Sequence, residues 1–260
     1  HEVDNIIHDP TSSAAHLSKV ISKDQGLSAK ILTVANSPLY GFPRRVSTID
    51  FAIVILGFNH IRNIVIAFSI LESCSGFCSA KFDQTKYVLH SIMTATVARK
   101  LAVDLGYPNS GESFTAGLLH DLGLSLVCRY FSKEFRKIIE IVESGEAKYM
   151  EAENQILGFD HRGLGFRLLE KWNLPQSLSH AVLFHHNPSE AQDKSNLAAI
   201  VHLADYLTNH FDLGGFIWDA EPDLDEGIIK ILRLGNKEYL DKFIDSYELL
   251  LKNQLQLITL

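Results

Sequence analysis

Ala116-Gly117-Leu118-Leu119-His120-Asp121-Leu122-Gly123, followed by Leu124, sets an imidazole and a carboxylate side by side inside an apolar run. An ionised carboxylate among apolar neighbours needs a partner or a metal, or it neutralises. Imidazole next to carboxylate suits Zn, Fe or Mn. The flanking apolar spacing is helical, and it predicts one helix over about 112–131 that contains His120 and Asp121.

The same period governs the sequence on both sides. Leu27, Ile31 and Ala35 recur at four-residue steps, in a helix that Asp24 caps and Pro38 stops. Ser37-Pro38-Leu39-Tyr40-Gly41-Phe42-Pro43 reads as a loop, and Asn36 reads as a helix stop before it. Ser47-Thr48 offers a cap for a helix from Ile49, Gly57 breaks it, and a second helix runs over about 59–73. Further helices are expected over 83–105, 134–144, 148–157, 162–171, 176–185 and 195–211, with Pro175 in the first turn of its helix. Two more flank Gly235-Asn236, and their leucines (Leu249, Leu250, Leu251, Leu255, Leu257) must pack on this chain or on a partner. No sustained strand alternation, internal repeat, P-loop, GxGxxG or HExxH pattern is present. The fold class is therefore all-α.

The small, polar stretch Glu72 to Ser79 is the expected lobe boundary. It divides an N-terminal helical lobe (1–79) from a lobe over 80–212, followed by a C-terminal helical tail (213–260).

The chain has 260 residues, 46% hydrophobic and 21% charged, enough for a substantial core. A net charge of −7 gives no broad positive field, so direct nucleic-acid binding is not expected. No apolar run reaches the length of a membrane span, and no signal-peptide pattern opens the sequence. The first residue is His1, not Met, which predicts a longer protein around this segment. Cys74, Cys78 and Cys128 form no disulfide framework and no complete zinc site; they read as plain thiols of a cytoplasmic protein.

Other imidazoles and carboxylates interrupt apolar helices in the same way. His90 lies in Tyr87-Val88-Leu89-His90-Ser91-Ile92-Met93, His161 follows Gly158-Phe159-Asp160, His185-His186 end Ala181-Val182-Leu183-Phe184, and Asp205 lies in His202-Leu203-Ala204-Asp205-Tyr206. Each alone has a plain structural reading. His90 reads as a hydrogen-bonded core histidine, and His185-His186 as imidazolium at a helix C-terminus. His161 reads as a turn cap, and Asp205 as the partner of His202 one turn earlier. The order of the whole set is more specific than any member: His, His-Asp, His, His-His, Asp.

In that order the chain resembles the HD superfamily of metal-dependent phosphohydrolases. More closely it resembles the HDOD family, output-domain relatives found in bacterial signalling proteins. The resemblance rests on Leu27 to Leu32, Ala35 to Gly41, Ser47 to Gly57, Ala116 to Gly123, Asp160 to Trp172, Leu174-Pro175 and His185-His186, and spans roughly residues 10–210. It implies an N-terminal helical lobe packed on an HD-type helical bundle. It also implies one or two divalent transition-metal ions (Fe, Mn or Zn). His90, His120 and Asp205 would hold one ion and His161, His185 and His186 the other, with Asp121 bridging. Any catalysis would depend on Asp121.

The departures bear on activity. Relatives that hydrolyse cyclic di-GMP carry a Lys three residues after the His-Asp pair, where this chain has Leu124. Some carry a Glu one turn before the first His, where this chain has Lys86, and Asn187-Pro188-Ser189-Glu190 replaces their Gly-Tyr-Pro segment. Cyclic-di-GMP hydrolysis is therefore disfavoured. The expected function is a regulatory binding module that retains its metal site, with a signalling protein or a small phosphorylated ligand as partner. The alternatives are a phosphohydrolase acting on a nucleotide or other phosphoester, and a chain whose histidines hold no metal.

Overall fold

The computed structural model describes residues 13–74, 81–191, 195–213, 216 and 223–258, with the backbone alone at 73, 74, 195 and 254–258. The first helix, α1 (Ala14–Lys23), was not expected from the sequence; Ser13 caps it through the His16 amide. The chain turns at Asp24, whose carboxylate accepts from the Leu27 amide and starts α2 (Gln25–Ala35). Asn36 ends α2, and its amide bonds both the N–H and the C=O of Val46, which ties off the following loop. That loop includes a 3-10 turn at Pro38–Tyr40. Thr48 caps α3 (Ile49–Leu56), and Gly57, at φ 89°, turns the chain into α4 (Phe58–Cys74).

Then follow α5 (Gln84–Asp104), α6 (Ser110–Leu119), α7 (Leu122–Tyr130), α8 (Ser132–Glu143), α9 (Tyr149–Leu157), α10 (His161–Lys171), α11 (Gln176–Phe184) and α12 (Ser195–His210). A short α13 (Ile228–Ile231) and a long α14 (Lys237–Ile258) flank the Gly235 turn, as the sequence predicts. Among the described residues there is no strand, so the chain is all-α. None of these helices is by itself long and apolar enough to cross a membrane.

Two apolar cores meet on α5. One side of that helix (Tyr87, Ile92, Ala95) joins a core built from α1–α4 and from Phe114, Leu118, Leu122, Leu124 and Phe135. The other side (Met93, Val97, Leu101) joins α12 and the tail residues Leu240, Ile244, Tyr247 and Leu251. A helix buried on both sides reads as apolar all round, which is why His90 stands out on it. Each large side chain so buried contributes about 1.5–3 kcal/mol. The tail's apolar stripe packs on this chain, and the Tyr247 hydroxyl donates to Asp104 on α5. Of its other leucines, Leu249 is exposed, Leu250 is partly buried, and the side chains of Leu255 and Leu257 lie outside the described set.

Two expectations are corrected. The helix expected over 112–131 is two helices, α6 and α7, with His120 and Asp121 at the joint. Consecutive residues of a continuous helix point about 100° apart, and the break lets both side chains face one centre. Cys128 is disulfide-bonded and is not the plain thiol expected; the Cys74 side chain and Cys78 lie outside the described set. Most of the lobe boundary expected over 72–79 also lies outside the described residues. A smaller difference is Pro175, which stands at the N-cap of α11 and not inside its first turn.

Candidate metal centre

Close helix approaches make the site possible. A Cβ on Gly117 would lie 2.8 Å from the Ala95 Cα, so the glycine lets α6 press onto α5, the helix of His90. A Cβ on Gly123 would lie 1.9 Å from the His161 carbonyl oxygen. Only glycine there lets α7 touch the start of α10. Those two contacts bring the His120-Asp121 joint between His90 and His161.

The structure brings all the sequence-predicted residues together. His90 Nε2 lies 3.3 Å from His120 Nε2 and 3.0 Å from Asp205 Oδ1. Asp205 Oδ1 is 3.5 Å from His120 Nε2, and Asp121 Oδ2 is 3.2 Å from it. The other oxygen, Asp121 Oδ1, lies 3.5 Å from His161 Nε2 and 3.4 Å from His185 Nε2. His186 Nε2 stands 3.3 Å from His161 Nε2. Asp121 thus presents one oxygen to each of two groups: His90, His120 and Asp205 on one side, His161, His185 and His186 on the other. All are buried except His186, which is partly buried.

The ring orientations favour a cation. His120 Nδ1 bonds the Gly117 carbonyl at 2.8 Å, His185 Nδ1 the Val182 carbonyl at 2.7 Å, and His161 Nδ1 the Glu153 carboxylate at 2.8 Å. An acceptor at Nδ1 holds the proton there and leaves the Nε2 lone pair free, the usual arrangement of a metal-binding histidine. These lone pairs converge on one another and on Asp121. Asp121 Oδ1 and His185 Nε2 are buried with no hydrogen-bond partner. A buried unpaired acceptor is costly, and a divalent ion between the groups would satisfy both. The donor set therefore fits one or two transition-metal ions.

Electrostatics differ across the site. Burial opposes the Asp121 charge, but His120, aided by His185 and His161, overrides it and holds the carboxyl well below the usual carboxylate range. Burial likewise opposes the Asp205 charge, and His120 and His90 override it. Burial also pushes His120 down, and Asp121 and Asp205 reverse that, raising it well above an ordinary imidazole. His185 is pushed down to about 4, by burial first, and burial together with His185 and His161 holds His186 far down.

Sequence reasoning missed several supporting residues. Glu153 is fully buried, and its Oε2 accepts both the His161 ring and the His161 amide, at 2.8 and 2.9 Å. Its signal was weak: one acidic residue beside Ala152 on the inner face of α9. Asn209, one turn after Asp205, donates to Asp205 Oδ1 at 3.1 Å. His202 does not hydrogen-bond Asp205 and instead donates to the His185 carbonyl at 2.7 Å.

Comparison with known proteins agrees with this architecture. An HDOD domain protein from Geobacter sulfurreducens superposes with a TM-score of 0.74 at 24% identity, over 98% of this chain and 90% of that one. A protein from Shewanella amazonensis, named as a candidate phosphohydrolase, gives 0.73 at 24% identity over 99% and 91%. At these identities the likeness establishes the fold alone. A curated protein from Treponema pallidum is 23% identical over 218 residues, 81% of this chain; the match spans 41% of that relative's length. The HDOD domain model matches residues 1–188, more than half of the sequence, and the chain therefore belongs to the HDOD domain family.

Proposed function

We propose that this chain is a regulatory output module of a signalling protein, and that its metal centre serves structure or sensing and not turnover. His90, His120 and Asp205 would hold one ion, His161, His185 and His186 the other, with Asp121 shared. When bound, such ions coordinate phosphate oxygens and lower the pKa of a water between them. The protein's own residues orient the imidazoles through Gly117, Val182 and Glu153 and exclude solvent from the centre.

One observation carries the choice against turnover. Among the described residues the carboxylates of Asp121 and Asp205 pair with imidazoles and with no lysine or arginine. Leu124, one turn past the His-Asp pair, is fully buried in the apolar core. Phosphoryl transfer leans on positive charge fixed around the transferring group, and among the described residues no lysine or arginine side chain forms an ion pair with the centre's carboxylates. A phosphohydrolase acting on a nucleotide or other phosphoester is the second reading, favoured by the complete ligand set.

The partner under this proposal is a signalling protein or a small phosphorylated ligand, met in the cytoplasm. In that reducing compartment the Cys128 disulfide would open. The deciding experiment loads the protein with Mn(II) or Fe(II) and screens nucleotides and generic phosphodiesters. Full loading with no turnover is expected. Turnover that disappears in Asp121→Asn would overturn the regulatory reading in favour of the enzyme.

A further inference from the structure

His185 and His186 stand at the end of α11, and Asp205 stands on α12, so the two halves of the centre are carried by different helices. Something must hold those helices at a fixed offset. His202 lies one turn before Asp205 and is 3% exposed. Its Nδ1 donates to the His185 carbonyl at 2.7 Å. That carbonyl is one of the groups a helix C-terminus leaves without an intrahelical partner. On its other side His202 Nε2 accepts the Asp225 backbone N–H at 2.9 Å. Both bonds together require the neutral ring with its proton on Nδ1, and burial favours that neutral form.

The Asp225 loop is itself anchored. Its carboxylate accepts the Ser189 amide at 2.9 Å, the Ser189 hydroxyl at 2.8 Å and the Gly227 amide at 2.9 Å. A Cβ on Gly227 would lie 1.9 Å from the Ser189 hydroxyl oxygen, so the loop seats tightly on the 3-10 turn Pro188–Glu190 just after the histidine pair. A continuous chain of bonds therefore runs from Ser189 through Asp225 and His202 to the backbone of a proposed ligand, His185.

We propose that His202 is a positioning residue that sets the spacing between the two halves of the metal centre, and that the Asp225 loop, held by Ser189, is the latch that keeps it in place. Neither residue touches an ion. This inference rests on the metal-centre reading above. It adds that the segment after α12 controls the geometry of the centre, so that displacement of the Asp225 loop alters how the second ion is held.

Cobalt(II) tests this, because its visible ligand-field bands report coordination geometry as well as affinity. Wild type, His202→Ala, His202→Gln and Asp225→Ala are titrated with Co(II), and circular dichroism of each metal-free form records folding. His202→Ala is expected to bind cobalt about 10- to 100-fold more weakly, the usual loss for an outer partner of a metal ligand, with shifted bands. His202→Gln, whose amide both donates and accepts, restores part of the affinity. Asp225→Ala shifts the bands in the same direction by less.

A folded His202→Ala protein with wild-type affinity and bands overturns the proposal. If His202→Ala does not fold, a folded Asp225→Ala protein with wild-type bands overturns it. A wild type that takes up no cobalt overturns the metal centre itself, and the latch with it.

Discussion

The two halves of the centre share Asp121 but balance their charge differently. The half made of His90, His120 and Asp205 has a carboxylate of its own, and Asp205 with Asp121 raises the His120 imidazole well above its ordinary range. That half can hold a proton between its groups in place of a cation. In the half made of His161, His185 and His186, Asp121 Oδ1 is the described carboxylate oxygen that faces the His161 and His185 Nε2 atoms. His185 is held down at about 4 and His186 lower than usual, so these two rings stay neutral. Its extra carboxylate, Glu153, lies behind His161 and orients that ring. The first half is compensated from within. The second is organised by Asp121 in front and by Glu153 behind His161.

The largest effect should come from breaking what the halves share. Asp121→Asn removes the carboxylate that turns one oxygen to each half, and metal content measured by elemental analysis is expected to fall in both halves. The affinity loss should exceed the roughly 100-fold upper range seen for outer partners. Retention of one full equivalent would show that a half stands without the bridge.

The next experiment separates the halves. Glu153→Gln keeps the size of the side chain but weakens its grip on the His161 Nδ1–H. It is expected to cost about 10- to 100-fold in affinity at the second half, with a tighter first equivalent left unchanged. Asp205→Asn should do the reverse. Stepwise calorimetric titration reads both, and a single common loss in the two variants would mean that the halves fill as one unit.

The smallest effect on metal is expected outside both halves, at His60, and it clears a background from work at low pH. His60 bonds the Tyr40 hydroxyl at 2.8 Å, and burial, then the Arg99 charge, lowers it from 6.5 to about 3. The unfolded chain binds that proton below pH 6.5 and the folded one does not. Stability is therefore full above about 6.5 and declines as the pH falls toward 3, with a slope of up to about 1.4 kcal/mol per pH unit. Urea unfolding of wild type and His60→Leu across that range should show a steeper slope in the wild type, by up to about 1.4 kcal/mol per pH unit, with metal affinity at neutral pH unchanged. Equal slopes would mean that folded His60 is protonated.

How much of this was legible in the sequence differs from residue to residue. The helices could be read from four-residue apolar steps, and their ends from Asp24, Thr48 and Gly57, because caps and breaks act within a few residues. His120-Asp121 stood out because charge inside an apolar run is costly unless it is paired. The sequence order of the remaining histidines and Asp205 supplied the rest of the set.

Other features belong to contacts between segments far apart in the chain. The break between α6 and α7 follows from both side chains facing one centre, which local apolar spacing does not encode. Glu153 is an ordinary helical glutamate until α9 lies behind His161, and Gly123 is an ordinary glycine until the His161 carbonyl occupies the space a Cβ would fill. His202 looked like a partner for Asp205 on its own helix, and the structure gives it to His185 on another. Sequence alone determined which residues could bind a cation, since that depends on side-chain chemistry. Tertiary packing alone decided which nitrogen of each ring faces inward, which residues hold those rings, and how far apart the two halves sit.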